Sequence, residues 1–233
     1  MYLYLFLNIS SILFPLMFSF HPKLKFYKEW VWFFTTDFFV AGFFILWDIL
    51  FTSAGVWGFN PNYVSGIYIS KLPLEEILFF ICIPYASLFT YHSLKIILPD
   101  FRLASSFRNK FTFTLILVTF VTGVIFHDKL YTCSSLLVAS ASLVAGYILL
   151  KEKLDHFYLM YAIILLPFLL INGILTGTGI PGEVVWYNNH ENLGIRILTI
   201  PVEDVFYGMS LLLFTLIMME QLKKFGKPNV KTP

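Results

Sequence analysis

The length of its apolar runs limits this chain most. A helix needs about 20 predominantly apolar residues to cross the ~30 Å hydrocarbon core of a bilayer. Seven stretches come near that length: Tyr2–Phe20, Trp30–Phe51, Pro73–Ile97, Phe111–Phe126, Leu130–Leu150, Phe157–Leu175 and Ile200–Gln221. Composition agrees, at 58% hydrophobic and 13% charged, against about 45–50% and about 25% for a soluble domain. Hydrocarbon offers the backbone no hydrogen-bond partners, so such runs fold as helices. The expected fold is all-α, a polytopic membrane protein with about seven transmembrane helices. The first run has no positive residue before it and no small-residue cleavage site, and reads as a retained helix. A net charge of +2 without a long basic run gives no nucleic-acid patch. Cys82 and Cys133 lie in apolar runs without metal or redox spacing. No glycine-rich nucleotide fingerprint occurs. The expectation is therefore no cofactor and no metal.

Loop charges set the orientation, because Lys and Arg concentrate in cytoplasmic loops. With the N-terminus outside, the inner segments hold twelve: Lys23, Lys25, Lys28, Arg102, Arg108, Lys110, Lys151, Lys153, Lys223, Lys224, Lys227 and Lys231. The outer segments hold three, Lys71, Lys129 and Arg196, and Lys95 lies near the inner end of the third run. This predicts a protein of the cell (inner) membrane with its N-terminus outside and its C-terminus in the cytoplasm.

Two of the runs open on paired acids. Pro73-Leu74-Glu75-Glu76 starts the third and Pro201-Val202-Glu203-Asp204 the seventh. A charge at the centre of a membrane helix costs about 2.5–3.5 kcal/mol on insertion scales. The first turn is more permissive, because its backbone N–H groups lack partners and the helix dipole is positive there. Proline at the first helical position fits the same reading. A shift of 128 residues lays Asn60 on Asn188, Gly66 on Gly194, Ile67 on Ile195, Pro73 on Pro201, Glu75 on Glu203 and Glu76 on Asp204. A shift of 124 lays Asp48 on Asn172, Thr52 on Thr176 and Gly55 on Gly179. The reading is one transmembrane domain over 1–222, with repeat A at 1–98, a linking helix at 104–127 and repeat B at 130–222. A basic tail follows at 223–233. With one helix between them, the three-helix repeats run parallel, and both acidic pairs open on one face. The loops 52–72 and 176–199 carry Trp57, Phe59, Tyr63, Tyr68, Trp186 and Tyr187, and are expected to lie over that face as a partial lid.

The outer half of the bundle thus gathers Asp48, Glu75, Glu76, Asn172, Glu203 and Asp204. Intramembrane ionisable groups face an interior or a cavity, where they mark function. Crowded, desolvated carboxylates repel one another, so the cluster keeps some members protonated and able to act as acids. Arg196, placed among them, would turn the cluster into a structural ion pair. Neighbouring helical residues diverge by about 100°. One acid of each pair therefore faces the cavity while the other caps the helix or anchors the loop. Asp37 reads as a packing hydrogen-bond partner, His92 as an interfacial residue and His190 as a solvated loop residue.

Tandem Pro-x-Glu-(Glu/Asp) motifs followed by aromatics, in two membrane repeats joined by an extra span, resemble the flavin-independent membrane lycopene cyclase family in its fused two-repeat form. The first motif keeps the pattern through Phe79 and Phe80, whereas the second has Tyr207 and then Gly208 in place of an aromatic. The resemblance implies a carotenoid cyclase that closes the ends of lycopene or another linear carotene, with a β ring as the expected product. It acts by acid-catalysed, non-redox isomerisation through a carbocation, without cofactor. It also implies association with other enzymes of carotenoid biosynthesis. Glu75 and Glu203 are the expected proton donor and acceptor, Glu76 and Asp204 their supports, and Asp48 and Asn172 their orienting partners. Phe79, Phe80, Phe206 and Tyr207 are expected to line the path of the cation. Three other readings remain at this stage: a proton-coupled transporter, a carotenoid hydratase, and a scaffold subunit of the pathway.

Overall fold

The structure, a computed structural model, describes residues 2–226. It is mostly helical. Seven α-helices occur among the described residues: α1 (Leu3–Phe18), α2 (Trp30–Ala54), α3 (Leu74–Ile97), α4 (Ser105–Ile125), α5 (Leu130–Leu150), α6 (Leu154–Leu175) and α7 (Val202–Gly226). Short strands fill the two long loops: β1 (Trp57–Phe59), β2 (Tyr68–Ile69) and β3 (Leu72–Pro73) in the first, and β4 (Val185–Tyr187), β5 (Arg196–Ile197) and β6 (Ile200–Pro201) in the second. Five helical stretches are long and apolar enough to cross a membrane, and the longest, Leu130–Leu175, consists of α5 and α6 joined by the 3-10 turn Lys151–Lys153. The chain is an integral membrane protein by these segments. The part of the expected basic tail at Lys227 and Lys231 lies outside the described residues, while Lys223 and Lys224 belong to the last turn of α7.

Polar contacts sort the helix ends into two layers. At one end the starts of α1 and α3 meet through Tyr4 and Glu76, the starts of α5 and α7 through Tyr131 and Asp204, and the end of α6 reaches Asp204 through Asn172. At the other end Glu220 of α7 receives Lys153 and, at 3.8 Å, Lys95 of α3, while Lys223 pairs with Glu29 before α2. There too Arg108 of α4 donates to both carboxylate oxygens of Asp155 of α6, at 3.1 and 3.2 Å. The helices therefore alternate in direction. Between the layers, α1 packs on α3, α4 on α5, α5 on α7, α2 on α7 and α3 on α6. A core of Phe26, Phe33, Tyr85, Leu143, Leu154, Phe157 and Leu213 lies between them, fully buried. Large apolar side chains such as Phe38 and Leu166 point outward, as lipid-facing residues do.

The entry of each acidic pair into its helix is built the same way. Strands β2 and β3 form a hairpin directly before α3, and β5 and β6 form one directly before α7. Ser70 and Leu198 turn these hairpins at the same left-handed φ of 58°. Each hairpin satisfies the first helical N–H: Leu74 donates to the Ile67 carbonyl at 2.9 Å, and Val202 to that of Ile195 at 3.0 Å. This corrects the expected place of the prolines. Pro73 and Pro201 end strands, and Pro73 has an extended ψ of 149° rather than opening the helix. Strands β1 and β4 pair with each other, Gly58 opposite Trp186, so the two long loops are joined across the acidic end.

Two helices begin ahead of their apolar runs: α4 at Ser105, with its run starting at Phe111, and α6 at Leu154, with its run starting at Phe157. The reason is the Arg108–Asp155 pair, which lets both charges enter the helices because each neutralises the other. Arg108 is 7% and Asp155 0% exposed. Breaking such a buried pair leaves an uncompensated charge, at a cost of about 3–5 kcal/mol. Arg108→Leu is expected to lower the thermal stability of the detergent-solubilised protein sharply, and Arg108→Leu/Asp155→Leu to recover most of the loss. A single variant as stable as the parent would count against this pair as a structural tie.

Candidate active site

Each acidic pair splits into two roles. Glu75 is 1% exposed, and its Oε1 accepts the Ser65 N–H at 2.6 Å. Its backbone carbonyl accepts from Asn8 Nδ2 of α1 at 2.7 Å. Glu203, fully buried, repeats the device: its Oε1 accepts the Leu193 N–H and the Thr132 hydroxyl, both at 2.7 Å. Each of these carboxyls bonds a backbone amide ten residues upstream, tying the loop to the start of its helix. The expectation that one acid of each pair anchors the loop is therefore met by Glu75 and Glu203.

The next residue on each helix points elsewhere. Glu76 Oε2 accepts from the Tyr4 hydroxyl at 2.5 Å. Asp48 comes in from the end of α2. Asp48 Oδ1 accepts from the Trp57 indole N–H and, at 3.2 Å, from Thr52 Oγ1. Asp204 accepts from three donors: the Tyr131 hydroxyl, the Tyr187 hydroxyl at 3.0 Å and Asn172 Nδ2 at 3.3 Å. Glu76, Asp48 and Asp204 all line one cavity of about 640 Å³, and Glu75 and Glu203 do not. That volume lies within the ~300–1,000 Å³ of small-molecule sites. Its walls are apolar and aromatic: Phe6, Leu7 and Phe14 of α1, Phe79 and Ile83 of α3, Ile164, Phe168 and Ile171 of α6, and Tyr207 and Leu211 of α7. Trp57 and Phe59 of β1 with Val185 and Tyr187 of β4 close its acidic end.

A family model described as lycopene cyclase matches residues 1–94 and 128–222. The chain belongs to the lycopene cyclase family. The comparisons with curated proteins and with solved structures give no match. Each matched segment holds one acidic pair and the helices that position it. Membership makes the chain a carotenoid cyclase at family level, a membrane enzyme of carotenoid biosynthesis with a carotene substrate.

In this cyclase several expected site residues take other places. Phe79 and Tyr207 line the cavity, but Phe80 and Phe206 do not. Phe80, 1% exposed, packs on Phe44 with ring centroids 6.4 Å apart, because it lies one residue round the helix from Phe79. Asn172 adjoins Asp204 and not Glu203, and Asp48 lines the cavity with Glu76 and not Glu75. Helix α1 forms a whole wall of the cavity, and α5 adds Tyr131. Arg196 sits at the rim and joins no ion pair among the described residues. Its guanidinium bonds the Thr199 carbonyl and Asn189 and lies 5.5 Å from the centre of the Tyr187 ring. Asp37 is buried with Oδ1 unpartnered, so the packing hydrogen bond expected of it is not made within the described residues. His92 bonds the Leu24 carbonyl through Nε2, and His190 is exposed.

Sequence reading missed Tyr4, Tyr131 and Tyr161, which surround the acids as donors or walls, and took Tyr187 only as part of the lid. One signal was present: Leu3-Tyr4 and Leu130-Tyr131 open corresponding helices and serve Glu76 and Asp204 alike. The lid has a tight spot at Gly58, where a Cβ would lie 2.4 Å from the Trp186 ring. Gly58→Ala is expected to push β1 and β4 apart and to speed proteolytic cleavage in the 176–199 loop. Unchanged cleavage would show that the strand pair tolerates the methyl.

Proposed function

We propose that this cyclase closes the end ring of lycopene or a similar linear carotene, with a β ring as product, by proton-catalysed isomerisation. The observation that carries the reading is the convergence of three carboxyls, Asp48, Glu76 and Asp204, from three helices on one dry, aromatic-walled cavity. In this reading Asp48 and Glu76, crowded on one largely apolar cavity, store the acidic proton between them, and Tyr4 holds Glu76 in place. Asp204, with three donors aimed at it, is the site suited to a carboxylate and hence to the base.

The step balances without cofactor or oxidant. A proton from the Asp48–Glu76 pair adds to the terminal alkene of the carotene, leaving a tertiary cation. A neighbouring alkene attacks that cation, forming the ring C–C bond and moving the charge onto the ring. Loss of a ring proton to Asp204 restores a double bond. Phe79 and Tyr207 present π faces that tolerate the cation, and the lid excludes the water that would trap it. Glu75 and Glu203 support the site by fixing the loops. Residues 1–222 act as one unit, with repeat A at 1–98, a linking helix at 104–127 and repeat B at 130–222. The seven helices span the membrane with the acidic end outside.

In cells that make lycopene, the wild-type chain is expected to yield cyclic carotenes, seen in the extracted pigment. General acid–base groups contribute about 10²–10⁴-fold. Glu76→Gln and Asp204→Asn should therefore abolish conversion in protein that inserts and folds. Glu75→Gln and Glu203→Gln should lower the amount of folded protein more than the turnover per molecule. The reverse pattern would return the proton transfers to Glu75 and Glu203.

The orientation has its own measurement. A cysteine added at the C-terminus is expected to react with an impermeant thiol reagent only after the cells are opened. Labelling in intact cells would invert the topology.

A further inference from the structure

The cavity is one-sided although the motif is duplicated. Laying the second motif on the first puts Gly208 in the place of Phe80, and the preceding helices put Phe168 and Ile171 in the places of Phe44 and Trp47. Around Phe80 the space is filled. Phe44 is 0% exposed, and its ring lies 5.6 Å from Trp47 and 5.1 Å from Tyr207. Around Gly208 the space is open, and Gly208, Phe168 and Ile171 all line the cavity.

Packing does not demand this glycine. A Cβ at position 208 would meet nothing nearer than the Tyr161 hydroxyl at 3.8 Å and Phe168 at 3.9 Å. The open cleft also has a mouth. The exposed residues of its lining, Phe6, Ser10, Phe14, Pro167 and Leu170, all belong to α1 and α6. From Glu76 the lining follows α3 down to Thr90, roughly 21 Å at ~1.5 Å per residue. Three of the hydroxyls along it are spent on their own helices: Ser10, Ser11 and Thr90 donate to the carbonyls of Phe6, Asn8 and Ala86.

We infer that Gly208 makes this cleft, and not its Phe80-plugged counterpart, the seat of a linear polyene that enters from the lipid between α1 and α6. The chain lies along α3 across Gly208 and presents one end to the acids. The identity of the occupant rests on the cyclase reading; the location of the seat does not.

The test measures bound pigment, which needs no turnover. Wild type, Gly208→Phe, Gly208→Ala and Gly42→Phe are purified from cells whose sole carotenoid is lycopene, and carotenoid is measured per protein. Gly42 is exposed with open space around it, so Gly42→Phe is the same change away from the cleft. Gly208→Phe is expected to retain roughly tenfold less carotenoid or lower still, the size of effect expected when a fitted space is overfilled. Gly208→Ala and Gly42→Phe should match wild type. Gly208→Phe that is folded, monodisperse and fully loaded overturns the inference, as does a wild type that binds no carotenoid. Should Gly208→Phe not fold, Gly208→Cys, whose Cβ has room, replaces it. Bound carotenoid must then slow its reaction with an apolar thiol reagent, and unslowed labelling overturns the inference. Loss of pigment in Gly208→Phe with no ring formed by wild type would leave this inference standing and end the cyclase reading.

Discussion

The structure turns on burying acids with a hydrogen-bond donor on at least one oxygen of each, while Asp48 Oδ2, Glu75 Oε2 and Glu203 Oε2 have none among the described residues. A buried carboxyl is unfavourable in proportion to the hydrogen bonds it lacks, and this chain brings at least five to one end of a helical bundle. It meets the requirement by geometry rather than by counter-charge, since Arg196 stays at the rim with Thr199 and Asn189. Glu75 and Glu203 take backbone N–H groups from the loops before them, and Asp204 and Glu76 take tyrosine hydroxyls from α1, α5 and β4. The hairpins β2–β3 and β5–β6 then occupy the first free N–H of each helix. Each acid is thus a joint between a helix and something else, which is why loops of some twenty residues lie ordered across the bundle end.

That arrangement ties fold to chemistry. Adjacent residues on a helix diverge by about 100°, so a pair of acids divides its labour: the first faces back to its loop and the second faces the cavity. Placing the pair in the first turn sets both directions at once. Moving either acid by one position would exchange the anchor with the cavity-facing group. The duplicated sequence produces one composite site rather than two, because Glu76 of one repeat and Asp204 of the other line the same space.

Much of this was legible in the chain. Apolar run length announced a helical membrane protein, and the shift of 128 residues between the acidic pairs announced two matching helix entries. The hairpins were less legible because their signal is conformational. Ser70 and Leu198 adopt a left-handed φ that neither residue type advertises. The buried place of Arg108 was hidden because it reads as loop charge until Asp155, 47 residues away, is placed beside it. Within each acidic pair, spacing showed that the two directions differ. It did not show which of them faced the cavity, since that depends on where the hairpin brings Ser65 and Leu193.

The tyrosines extend the same point. Tyr4 and Tyr131 sit in apolar runs where an aromatic reads as lipid-facing bulk, yet both are about 1–2% exposed and donate to the cavity-facing acids Glu76 and Asp204. A phenol is suited to this place because it fills an apolar wall and supplies one donor without a charge. A lysine or arginine would satisfy the carboxylates more strongly, but it would hold them ionised and remove the acid from the site. A set of tyrosine, tryptophan and asparagine donors leaves the total charge of the cavity to the carboxyls alone. In the mechanism proposed above, one proton resides on Asp48 or Glu76 while Asp204 stays open to receive another, and donors without charge are what would keep both an acid and a base in one cavity.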